Sequence, residues 1–169
     1  MFRLPILLFF TLFYSAILAQ SPLDAPLPEK FEGMRELIRV NHFPSPVRAT
    51  PVIEKQDTLY LWKHNTSVLS EKEDLEIIEC GAYIFYNNQW NLRATYSPKF
   101  FIKNFNCPKA ILKRGQVYTF VDNWRTDTRL LGGWAMWYFI AKTSSGETVF
   151  GFERLDTVGE VYAPINFSN

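Results

Sequence analysis

Trp134-Ala135-Met136-Trp137-Tyr138-Phe139-Ile140-Ala141 is the stretch on which the fold reading turns. It carries no charge and is almost continuously apolar, as a central strand covered on both faces must be. Thr143-Ser144-Ser145-Gly146 follows as a hairpin loop, and Glu147 to Arg154 returns as the partner strand. In a regular strand Trp134 and Trp137 fall on opposite faces, so at least one belongs to the core.

The same two-residue period recurs on the N-terminal side of this hairpin. Lys113-Arg114-Gly115 reads as a tight turn before a strand from Gln116 to Asp122. Leu75 to Cys80 reads as a strand that continues from Ala82 to Tyr86, with Gly81 marking a bulge or bend. Asn87-Asn88 turns into Trp90–Ala94. Thr58 to Trp62 alternates, with Leu59 and Leu61 on one face, and His64-Asn65-Thr66-Ser67 reads as a turn. Ser97-Pro98 breaks the pattern before a short apolar run, Phe100 to Phe105. Short strands at close spacing, each bounded by turn residues, predict an all-β fold: a single antiparallel β-sandwich over residues 50–169, with a small β-barrel as the alternative.

Residues 20–49 have a different texture. Six of the ten prolines lie between Pro22 and Pro51, which predicts a proline-rich arm. Within it Phe31, Met34, Leu37 and Ile38 recur at helical spacing, so a short helix is expected over 29–39 behind Pro28, with Gly33 weakening it. Residues 1–19 read as a cleavable signal peptide. Arg3 is followed by an uncharged apolar run from Leu4 to Leu18, too short to span a bilayer, and Ala19 supplies a small residue for cleavage. The mature chain is therefore expected to be secreted, extracellular or periplasmic, and not an integral membrane protein.

Charge narrows the partners. The chain has 18 Lys plus Arg and 17 Asp plus Glu; loss of residues 1–19 removes Arg3 alone and leaves 17 against 17. A neutral protein has no long-range pull on nucleic acid, which is excluded as a partner on this ground. Aromatic residues make up 17% of the chain, which argues against a disordered polymer. The two cysteines, Cys80 and Cys107, are expected to form a disulfide in an oxidising compartment. The two histidines, His42 and His64, lie in separate segments and read as ordinary turn or surface residues. No metal site and no cofactor is expected. Asn65-Thr66-Ser67 and Asn166-Phe167-Ser168 match the glycosylation sequon.

None of the usual hydrolase, phosphate-loop or metalloprotease motifs is present. The densest group of recognition side chains lies between the last two strand regions: Asp122, Asn123, Trp124, Arg125, Asp127 and Arg129, in a 122–134 loop. Carboxylate, amide and guanidinium groups bond sugar hydroxyls or acidic groups, and an indole offers a flat apolar face. The competing reading is scaffold: Asp127 pairing with Arg125 or Arg129, and Trp124 plugging the end of the sandwich. The sequence thus points to a non-catalytic binding module for a glycan or protein at the cell surface. The alternatives are a structural or assembly subunit of a cell-envelope complex, using the arm or an open sheet edge, and a small carboxylate-dependent hydrolase using Asp122 and Glu153.

Overall fold

The computed structural model describes residues 21–54 and 57–162. The expected signal peptide and the Asn166 sequon lie outside the described residues. Ten strands are described: β1 (Arg35–Glu36), β2 (Ile38–Phe43), β3 (Val47–Glu54), β4 (Asp57–Ser70), β5 (Leu75–Tyr86), β6 (Gln89–Tyr96), β7 (Ile111–Leu112), β8 (Val117–Asp127), β9 (Gly133–Lys142) and β10 (Thr148–Val161). One α-helix, α1 (Pro98–Phe105), lies between β6 and β7.

The strands form one open, mixed sheet that curves into a sandwich-like shell. Its order runs β6-β5-β9-β10, passes through the β1–β3 stretch to β4, and ends on β8. Among the described residues β6 pairs only with β5 and β8 only with β4, so the sheet does not close into a barrel. The predicted β9–β10 hairpin is its centre, in register from Thr148↔Lys142 to Thr157↔Gly133.

The expectation of a purely antiparallel sheet is corrected by β1 and β3. Both pair with β10 in parallel, at Arg35↔Val149 and at Val47↔Thr157. Between these points β2 pairs antiparallel with β4, and beyond them β3 does the same. One nearly continuous stretch thus hands its hydrogen bonds back and forth between β10 and β4, and joins the two halves of the shell. Pro44 and Pro46 lie where the stretch leaves β4, at positions that cannot donate to a ladder. Gly151 is required at this crossing: a side chain there would collide with the Ile38 carbonyl.

The helix expected over 29–39 shrinks to a single 3-10 turn, Glu29–Phe31. Gly33 adopts a left-handed φ of 74°, which ends the turn, and the chain becomes strand at Arg35. The apolar spacing that suggested a helix is shared between two surfaces. Phe31 packs on the outer face of the sheet against Tyr83, Tyr138 and Phe150, while Ile38, Val40 and His42 alternate inward along β2.

The real helix is α1, which sequence reading took as a short apolar run after a break. Ser97 is its N-cap, Pro98 fills the first turn, and Asn106 ends it in the left-handed region at φ 50°. Phe101 and Phe105, four apart, stack with ring centroids 4.4 Å apart and are buried against Phe139. Burial of each ring stabilises by about 1.5–3 kcal/mol. Helix α1 contacts both β5 and β8, and so covers part of the gap that the open sheet leaves.

The predicted disulfide is not formed. Cys80 on β5 and Cys107 after α1 are both free thiols, buried in the central core. The Cys107 thiol hydrogen-bonds the Ile111 carbonyl, with Sγ 3.2 Å from the oxygen. Burial pushes the Cys80 thiol up to about 12 and the Cys107 thiol up to about 11, so both stay protonated and unreactive.

Candidate functional site

Strand β8 runs through Asp127, so the stretch read as a loop over 122–134 is mostly strand, and only residues 128–132 connect it to β9. A bulge interrupts β8. His64 pairs with Asn123 and Thr66 with Phe120, leaving Val121 and Asp122 opposite the single residue Asn65. Asp122 takes a left-handed φ of 55°, and its N–H donates to Asn65 Oδ1 at 3.0 Å. The predicted turn at His64–Ser67 is therefore the interior of the fourteen-residue β4, with the polar residues holding a bulge.

The bulge re-aims the residues that follow. Asn123 turns inward and is buried; its Nδ2 donates to Thr66 Oγ1 at 2.9 Å, and Thr66 Oγ1 lies 3.1 Å from His42 Nδ1. Trp124 faces out, with 56% of its surface exposed, and its ring meets Phe120 edge-on at 6.3 Å. Arg125 lies half-buried with its guanidinium 4.5 Å from the centre of the Trp62 ring. Its Nη1 donates to Thr157 Oγ1 at 2.6 Å and to the Leu131 carbonyl at 3.2 Å, and its Nη2 lies 3.6 Å from Asp127 Oδ2. Burial lowers its pKa, and the Asp127 carboxylate opposes that shift. Asp127 Oδ1 accepts the backbone N–H of Arg129 at 3.0 Å, which pins the connection to β9. Asp127 and Arg125 thus hold scaffold, as the competing reading had it, while Trp124 plugs nothing.

Trp124, Arg125, Asp127 and Arg129 line one wall of an open groove of about 600 Å³. Asp122 and Asn123 are not part of its lining. The other walls come from β5, β6 and β9, and include Tyr86, Arg93, Tyr96, Trp134 and Trp137. Trp137 is the nearly buried floor; Tyr96 stacks parallel to it at 5.9 Å and is in turn stacked by Phe100 of α1 at 4.1 Å. The groove occupies the part of the sheet opening that α1 does not cover. Sequence reading missed the β5–β6 wall because nothing local in Tyr86, Arg93 or Tyr96 marks them as neighbours of β8. Only the curvature of the sheet brings them there.

The tryptophans divide by environment. Trp62 is fully buried, and its Nε1 donates to the Val158 carbonyl at 2.8 Å. Trp90 is buried on the outer face of the sheet. Trp124 and Trp134 are the two left accessible; Trp124 stands on the groove, whereas Trp134 packs against the outer-face cluster with Met136 and Tyr138. The carboxylate pair considered for hydrolysis lines no common cavity of the two described. Glu153 lines a separate cavity of about 460 Å³ between β2 and β10 and accepts the Arg154 N–H at 2.7 Å, whereas Asp122 lines neither cavity. Among the described residues no three His, Cys, Asp or Glu side chains gather as a metal site would require, and no helix is long and apolar enough to cross a membrane.

No protein-family model and no curated protein matches the chain. In fold the chain is similar to the X-ray structure of a Northeast Structural Genomics Consortium target, SoR45, with a TM-score of 0.51 and 11% sequence identity. The alignment covers 80% of this chain and 98% of that one, and at that identity the likeness is one of architecture alone.

Proposed function

We propose that the chain is an exported binding module that acts without catalysis and holds its ligand in the groove between β8 and β5–β6. The observation that carries this reading is Trp124. Its indole is more than half exposed and stands with the exposed Tyr86 and Leu131 around one groove, and a contiguous exposed apolar patch marks a binding surface. Tyr86 and Tyr96 extend the same aromatic lining, which suits sugar rings or apolar side chains. The export signal read in residues 1–19 supports a role for such a module outside the cytoplasm.

A second reading, an assembly subunit of an envelope complex, draws on a different feature. Among the described residues the outer edge of β8 has no partner strand, and Val117 and Val121 along it are exposed. An added strand would satisfy that edge.

The exported protein, probed on a glycan array and in pull-downs with and without Trp124→Ala, separates the two. Loss of binding at unchanged melting temperature supports the groove. Binding that survives Trp124→Ala and is lost on placing lysine at Val121 supports the edge instead.

A further inference from the structure

We infer that the groove selects an acidic glycan, with the guanidinium groups of Arg93 and Arg129 receiving its carboxylate or sulfate groups while Trp124 faces the sugar rings. This inference rests on the groove being the binding site. It starts from how the other arginines are used. Arg35, Arg39 and Arg48 each meet a glutamate at 3.0 Å or less, and Arg125 is committed to Thr157, Leu131 and Asp127. Arg154 lies over the Trp90 and Phe152 rings, and Arg114, held by its backbone N–H to Asp74, lies away from the groove; Arg93 and Arg129 are the two arginines of the groove lining left without such a partner. Both are exposed on the groove wall, and among the described residues neither side chain has a hydrogen bond or an ion pair.

The charge balance of the groove follows directly. Its lining holds three guanidinium groups and a single carboxylate, Asp127. Asp127 is already spent on Arg125 and on the Arg129 backbone. Two positive charges are left over on opposite walls, one from β6 and one from the β8–β9 connection, in a chain whose total charge is only +1. Fixed charges beside a poorly hydrated aromatic surface attract counter-charge more strongly than they would in open water. A guanidinium presents a planar fork of N–H donors that a carboxylate or sulfate fills with two parallel bonds. The preferred occupant must therefore carry anionic groups and flat, weakly polar faces on the same molecule. An acidic sugar chain has both in every repeat. A neutral glycan would leave both guanidinium groups unmet, and an acidic peptide would leave the Trp124 indole face without a ring to cover.

The test is calorimetric titration of the exported protein with three hexasaccharides, an oligogalacturonate, a hyaluronan fragment and a heparin fragment. Carboxyl-reduced or desulfated forms of each, and a hexaglutamate peptide, serve as counterparts. At least one acidic chain should bind, its neutralised form about tenfold or more weakly. Arg93→Gln and Arg129→Gln should each weaken the acidic chain several-fold, leave the melting temperature unchanged, and flatten the dependence of affinity on salt. Equal binding of acidic and neutralised chains, still lost in Trp124→Ala, would overturn the acidic selection and leave the groove as the site. Acidic binding indifferent to Trp124, Arg93 and Arg129 alike would reject the groove itself. Hexaglutamate binding as tightly as any sugar, or no binding by any acidic chain, would reject the glycan.

Discussion

His42 and His64 meet edge to face inside the sheet, their ring centroids 5.3 Å apart at an interplanar angle of 82°. Read singly in the sequence, each looks like a turn or surface residue. The β2–β4 register sets His42 opposite Thr66, which places His64 two residues along the same inward face. Both rings are held neutral. His42 Nε2 lies 3.3 Å from the Glu153 carbonyl and so carries the proton, leaving Nδ1 to accept from Thr66. His64 Nδ1 lies 3.4 Å from the Trp62 carbonyl, and its Nε2 is buried with no partner. A proton added there would find no acceptor.

Acid should therefore unfold the protein early. Burial lowers His42 to about 3, with His64 adding to the effect, and burial lowers His64 to about 4. The unfolded chain takes up both protons near pH 6.5 and the native chain does not, so stability is full above that value and falls as pH drops below it. Between pH 7 and pH 5 the loss should be about 2 kcal/mol for each histidine, about 4 in all. Urea unfolding midpoints at the two pH values measure it. His64→Leu should remove close to half of the pH dependence. Identical midpoints at pH 7 and pH 5 would show that the rings protonate in place.

Trp124 and Trp62 should respond oppositely to truncation. Trp124→Ala removes an exposed ring and should change stability by less than about 1 kcal/mol while weakening ligand binding by 1 kcal/mol or more. Trp62→Ala empties a fully buried site and leaves the Arg125 guanidinium without its ring and the Val158 carbonyl without its donor. It should cost about 3–5 kcal/mol. Chemical denaturation of both variants beside one binding assay makes the comparison. A large stability loss at Trp124 would return that residue to the scaffold.

The free thiols make a redox prediction. Reducing agent should leave the melting temperature where it is, and non-reducing peptide mapping should recover Cys80 and Cys107 on separate peptides. A thiol reagent should label neither in the native protein and both in denaturant, because burial keeps the thiolate out of reach. Recovery of a bridged peptide pair would contradict the structure.

Gly81→Ala should be among the most damaging single-methyl changes in the sheet. A side chain at Gly81 would run into the Ala94 carbonyl and the Tyr138 hydroxyl. That hydroxyl donates to Glu79 Oε1 at 2.7 Å and accepts from Lys30 at 3.2 Å, so displacing it also loosens the turn at Glu29–Phe31. The expected cost is about 1–3 kcal/mol. Calorimetric melting checks it, and limited proteolysis near Lys30 should report the loosened turn first.

Where local chemistry specifies geometry, the sequence was legible. Asn87 and Asn88 both take positive φ, 52° and 59°, as a tight hairpin demands, and the charge-free run from Trp134 is the central strand it promised. Legibility failed wherever two periods fitted the same letters. Phe31, Met34 and Ile38 suit a helix, yet Phe31 and Met34 serve the outer face while Ile38, beyond them, serves the inner core. Pro98 reads as a break in a strand protein and as a first turn in a helix, and only the burial of Phe101 and Phe105 decides between them. Trp124, Arg125, Asp127 and Arg129 were visible as a recognition cluster, but the opposite wall with Arg93 and Tyr96 depends on sheet curvature, which no local pattern encodes.

The parallel pairing of Val47 with Thr157 also bears on how the chain is made. The first long strands cannot complete their ladders until the last strand has been synthesised. Contacts so distant in sequence form slowly. A chain with this wiring leaves β3 without its parallel partner until β10 has been made. That delay leaves its apolar strands exposed, and unpaired apolar strands are prone to aggregate.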